Sequence, residues 1–123
     1  MQEVELKQLA IDALADLKGN DIVCLDVRTQ TDIADYLIVA SGTSSRHVSA
    51  LVNNVVVEAK KAGLMPNGIE GQQTGEWVLV DLVDVVVHVM LPQARDFYDL
   101  ERLWTIEPMS AEPLAEEISP LEH

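Results

Sequence analysis

A chain of 123 residues, 48% of them hydrophobic, has room for one modest core and not for two ordinary domains. Its formal net charge is −13, with eight scattered Lys and Arg against 21 Asp and Glu, so it lacks the clustered basic face that sequence-specific nucleic-acid binding uses to neutralise phosphates. No apolar run approaches the roughly 18 residues of a membrane span, which argues against a membrane partner.

The acidic balance fits a basic protein as partner, because opposite potentials steer encounter; the plainer reading is that it only keeps the domain soluble. Cys24 is the single cysteine, which excludes an internal disulfide and a cysteine-based zinc site, and its neighbours Ile22, Val23, Leu25 and Val27 mark it as a small packed residue. Met1 to Glu5 is acidic and has the layout of neither a signal peptide nor a transit peptide, so a bacterial cytoplasm is expected.

In chain order, Leu6, Leu9, Ala10, Ala13, Leu14 and Leu17 recur at helical spacing, and Lys18-Gly19 offers an end. Asp21 to Val27 and Tyr36 to Ala40 read as strands, both largely buried. Ser41-Gly42-Thr43-Ser44-Ser45 breaks the pattern and supplies capping hydroxyls. Val48, Leu51, Val52, Val55, Val56, Ala59 and Ala62 form a regular stripe that predicts a helix over 44–62, ended by Gly63. After Asn67-Gly68 comes a short extended piece, then strands near Glu76 to Leu82 and Val85 to Leu91. Pro92 suits the first turn of a last helix with Phe97, Leu100 and Trp104 toward the core. From Thr105 onward there are five Glu and no Lys or Arg, interrupted by Pro108, Pro113 and Pro120. Residues 1–107 therefore read as the domain and 108–123 as an acidic flexible tail, with Leu121-Glu122-His123 resembling an expression-tag remnant.

This order gives an α/β (α+β) fold with a mixed sheet flanked by helices. Alternation places Trp77, Leu79 and Asp81 on one face of their strand and Val86, His88 and Met90 on one face of the next. If the two sets coincide, they form a mixed aromatic, apolar and polar patch of the kind found at protein interfaces. With Asp84, Arg95 and Tyr98 nearby, the candidate partner-binding set is Trp77, Asp81, Asp84, His88, Met90, Arg95 and Tyr98. Four of them have a plainer reading: Trp77 as core, Asp81 and Asp84 as turn residues, and His88 as a hydrogen-bonded sheet histidine. Neither His47 nor His88 belongs to a short metal-ligand motif. No catalytic, cofactor-binding or metal-binding residue is expected. The Ser41 to Ser45 turn has the position of an anion site at a helix N-terminus, but it lacks a phosphate-loop motif and reads more simply as a capped turn.

The chain resembles the ribosomal silencing factor family, also called the RsfS or Iojap family, over Leu6 to Trp104. The resemblance is carried, in order, by Asp26-Val27, Asp35-Tyr36, Ser41-Gly42-Thr43-Ser44, Gly68-Ile69-Glu70-Gly71, Trp77-Val78-Leu79-Val80-Asp81, Asp84-Val85-Val86-Val87-His88-Val89 and Arg95 to Trp104. It implies a non-enzymatic translational repressor that binds the large ribosomal subunit through ribosomal protein L-fourteen and blocks joining of the small subunit when nutrients are short. Organellar relatives are linked to ribosome assembly. It also implies a nucleotidyltransferase-like scaffold, although here Ser41-Gly42 reverses that superfamily's Gly-Ser turn and no carboxylate follows within Thr43 to Val48. Two alternatives stand beside it: a divergent nucleotidyltransferase working at Ser41 to Ser45 with Asp35, and a Trp77 patch serving as a homodimer surface in the free protein. One departure from the family is Val83, where relatives usually carry glycine; a positive φ there would strain valine.

Overall fold

Apolar periodicity in the first segment produces α1 (Glu3–Asp16), and the chain continues through β1 (Asn20–Asp26), β2 (Tyr36–Ser41), α2 (Ser45–Lys61), β3 (Gly68–Glu70), β4 (Trp77–Asp81), β5 (Val85–Met90) and α3 (Pro92–Tyr98). The computed structural model describes residues 3–29 and 34–98, and the side chains of 5–29 and 34–95. The element order is the one the sequence predicts. The expected inward side chains of Phe97, Leu100 and Trp104, and the expected tail, lie outside the described residues.

Both long helices close with the same pattern of backbone hydrogen bonds. At the end of α1, Gly19 N donates to Leu14 O and Lys18 N to Ala15 O, with Lys18 at φ 63. At the end of α2, Leu64 N donates to Ala59 O and Gly63 N to Lys60 O, with Gly63 at φ 88. These are Schellman closures. In α1 it is the lysine, rather than the adjacent glycine, that takes the left-handed conformation.

The strands form one sheet in the order β1-β2-β5-β4-β3. Every pairing is antiparallel except the central one, where β2 runs parallel to β5 with Val39 opposite His88 and Ser41 opposite Met90. A parallel pair needs a long crossover, here begun by α2. The two helices cover one face, where Leu6, Ala10, Leu14, Leu51, Val55 and Ala59 meet Ile38, Ala40, Val78, Val80, Val87 and Val89. Asn54 ties the helices together by donating from Nδ2 to Ala13 O at 2.7 Å. The α2 stripe is buried as expected from Val48 to Ala59, whereas Ala62 has already turned out to solvent.

A smaller second core forms on the opposite face from Val27, Ala34, Leu37, Val39, Val86 and Met90, with Leu25, Trp77, Leu79 and Ala94 packed against it. Both central strands are therefore buried along their whole length. β1 is not, contrary to expectation: its ends are exposed and its middle is partly buried, because among the described residues it is an edge strand bonded to β2 alone. Cys24 accordingly sits half-buried against the main core, where burial raises its thiol pKa.

Candidate protein interface

The hairpin of β4 and β5 resolves the question of faces. Trp77 lies opposite Met90, Leu79 opposite His88 and Asp81 opposite Val86, and directly opposed residues share a face, so the two alternating sets coincide. They lie on the face away from α1 and α2. Their exposure differs sharply. On β5, Met90 is fully buried and His88 is 8% exposed, while Trp77, Leu79 and Asp81 on β4 are only partly buried. The surface is thus a row along β4, about 13 Å from Trp77 to Asp81 at the usual strand rise, with Met90 and His88 as its floor rather than its contact atoms.

Trp77 and His88 are diagonal neighbours on this face. The indole Nε1–H donates to His88 Nδ1 at 2.8 Å, with ring centroids 5.8 Å apart and planes tilted by 44°. Because indole nitrogen is only a donor, His88 must accept at Nδ1, and the neutral ring then carries its proton on Nε2. Burial pushes the His88 pKa down to about 4, which keeps the ring neutral near pH 7.

The carboxylates at the other end hold a turn. Asp81 Oδ1 accepts from Val83 N at 2.8 Å and Oδ2 accepts from Asn67 Nδ2 at 3.1 Å. Asp84 N donates to Leu82 O at 3.0 Å around Val83 at φ 75, which makes a γ-turn of the rare positive-φ kind. The strain expected for valine in place of glycine is present. Asp84 is exposed, and its carbonyl accepts from the backbone N–H groups of Asp35 and Tyr36. Asp81 is therefore a turn residue, in line with its plainer reading, while its position also borders the row.

Arg95 stands at the Trp77 end of the sheet, where Nη1 donates to Ser41 Oγ at 2.9 Å and reaches Asn20 O at 3.5 Å. It fastens α3 to β2. The Tyr98 side chain lies outside those described. Sequence reasoning left two residues out of the candidate set: Leu79, between Trp77 and Asp81, and Glu70, paired with Leu79 across β3 and exposed. Leu79 was visible in the alternation, but Glu70 depends on the register of β3, which no sequence signal specifies.

Glu70, Glu76, Asp81 and Asp84 give the row an acidic border. Lys7 and Arg28 lie elsewhere, over the Tyr36 ring at 4.6 and 5.3 Å, and Arg28 also grips Asp26 and lowers that carboxyl pKa to about 2.

The Ser41 to Ser45 turn is internally satisfied. Ser44 caps α2 by accepting from His47 N. His47 in turn accepts from Thr43 N at Nδ1, 2.9 Å away, and its Nε2 lies 2.8 Å from Leu17 O, clamping the turn to the end of α1. Gly42 permits the close approach, since a Cβ there would lie 2.9 Å from Val48 N. Asp35 precedes β2 and the turn follows it, so the two are separated by a strand of about 20 Å. The residues of the nucleotidyltransferase alternative are not brought together.

A mixed five-stranded sheet with α1 and α2 on one face and the partly buried row Trp77, Leu79 and Asp81 on the other defines an α+β domain. Residues 1–122 match the family model described as ribosomal silencing factor during starvation. A relative from Chromobacterium violaceum, named ribosomal silencing factor RsfS, is 54% identical over 104 residues, covering 85% of each chain. A crystal structure of a protein from the same organism has a TM-score of 0.84 at 50% identity, covering 93% of this chain and 99% of that one. A mouse protein named mitochondrial assembly of ribosomal large subunit protein 1 is 34% identical over 101 residues, covering 80% of this chain and 44% of its own length. The chain belongs to the ribosomal silencing factor family.

Proposed function

We propose that this chain acts in the bacterial cytoplasm as a non-enzymatic translational repressor. It binds the large ribosomal subunit through ribosomal protein L-fourteen, obstructs joining of the small subunit and lowers translation when nutrients are short. Membership of a family named for ribosomal silencing during starvation supports this reading. The observation that carries it is the partly buried row Trp77, Leu79 and Asp81, bordered by Glu70, Glu76 and Asp84, on the sheet face away from α1 and α2. An aromatic anchor with an acidic rim suits a basic protein surface. The contact set is Trp77, Leu79, Asp81, Asp84 and Glu70, with Arg95 at its edge.

Sedimentation tests it. The purified chain should comigrate with large subunits and not small ones, and a saturating amount should reduce subunit association at limiting magnesium. Equal association with and without the protein would refute the repressor role.

A second reading, a factor in large-subunit assembly, is favoured by the name of the mouse relative. Cells lacking the protein would then accumulate immature large subunits during growth in rich medium. An enzymatic reading predicts instead that magnesium with a nucleoside triphosphate raises thermal stability.

A further inference from the structure

We propose that His88 is a positioning residue: by accepting the Trp77 indole N–H it holds the ring over the β4–β5 hairpin on the face away from α1 and α2, so that Trp77 docks through its apolar ring without donating a hydrogen bond to the partner. The inference deepens the proposed ribosomal role of the β4 row and rests on it.

The indole has one hydrogen-bond donor, and His88 Nδ1 takes it at 2.8 Å. At 8% exposure His88 has little surface of its own to offer a partner, so its contribution passes through Trp77. The bond is diagonal across the hairpin and restrains the rotation of the indole on β4, whose backbone is itself held between β5 and β3. An aromatic fixed before docking loses less freedom when it docks.

This geometry also specifies the chemistry of the facing surface. A carbonyl or carboxylate aimed at the indole nitrogen would have to break the bond to His88. Aliphatic stems and a Lys or Arg over the ring require no such exchange, and they match the acidic border.

The test uses the full chain with purified large ribosomal subunits, and compares the parent with Trp77→Ala, His88→Leu and His88→Asn. Leucine keeps bulk but removes the acceptor, whereas asparagine carries an oxygen where Nδ1 sits. His88→Leu should bind about tenfold more weakly, and His88→Asn should recover most of the loss. In a Trp104→Phe background, which leaves Trp77 as the one tryptophan, the fluorescence anisotropy of Trp77 should decay faster in His88→Leu than in His88→Asn. Parental affinity and anisotropy in a folded His88→Leu variant would overturn the inference. Where His88→Leu fails to fold, His88→Gln replaces it, because its oxygen falls at the Nε2 position; equal binding by the Asn and Gln variants would overturn the inference equally. Absence of binding by the parent, or unchanged binding by Trp77→Ala, counts against the ribosomal reading itself. In that event nitrogen NMR of the parent still decides the positioning: a His88 ring protonated on Nε2 supports it, and one protonated on Nδ1 refutes it.

Discussion

Arg95 donates from Nη1 to the hydroxyl of Ser41 at 2.9 Å, joining the last described helix to the end of β2 across 54 positions of sequence. Ser41 is 3% exposed, so its hydroxyl depends on protein partners. Ser41→Ala should destabilise the fold by about 2 kcal/mol, the range of a hydrogen bond to a charged group. In a double-mutant cycle with Arg95→Met, measured by urea unfolding, the two losses should fall short of additivity. Strict additivity would show that the bond contributes nothing.

Acid should weaken the fold through His88. Its pKa is about 4 in the folded chain against 6.5 for the free side chain, so the unfolded chain takes up the proton first as pH falls. The stabilisation from keeping the ring neutral is complete above pH 6.5 and is lost progressively down to pH 4, a total of about 3 kcal/mol. Unfolding free energies at pH 7, 6 and 5 should therefore decline more steeply for the parent than for His88→Asn. Parallel profiles would contradict this.

Val83→Gly should stabilise the protein. Valine at φ 75 carries the penalty of left-handed backbone, about 1–2 kcal/mol, and at 52% exposure its side chain gives up little burial when removed. Glycine's extra freedom in the unfolded chain offsets part of the gain, leaving a net of about 1 kcal/mol. A fall in melting temperature on substitution would mean that the valine side chain makes contacts worth more than the strain.

Within the proposed interface, Trp77→Ala should cost about 2 kcal/mol or more of affinity for the isolated ribosomal protein, while Asp84→Ala should mainly slow association and flatten its salt dependence. Surface plasmon resonance at two ionic strengths separates the two effects. Cooperative unfolding of Trp77→Ala at a much lower temperature, or parental affinity in the folded variant, would move the interface elsewhere.

The element order, the buried stripe of α2 and the shared face of Trp77 and Asp81 could be read from the sequence because each depends on local period. What escaped depends on pairing. β1 looked buried because Ile22 to Leu25 is apolar, but a strand with one neighbour among the described residues keeps an open edge. His88 and Met90 looked like surface partners of Trp77, since alternation gives the face and not what lies over it. The parallel register of β2 with β5 left no mark in either strand.

That parallel pair also orders events during synthesis. β2 gains its second neighbour only when β5 arrives, so a nascent chain whose emerged part ends anywhere between Gly42 and Asp84 carries Tyr36 to Ser41 as an apolar strand with one side unpaired. Such chains present a template for pairing with other strands, and long-range parallel pairing is intrinsically slow to complete. A ribosome stalled within this span would hold an association-prone intermediate, and the hazard ends only once Met90 has cleared the exit tunnel.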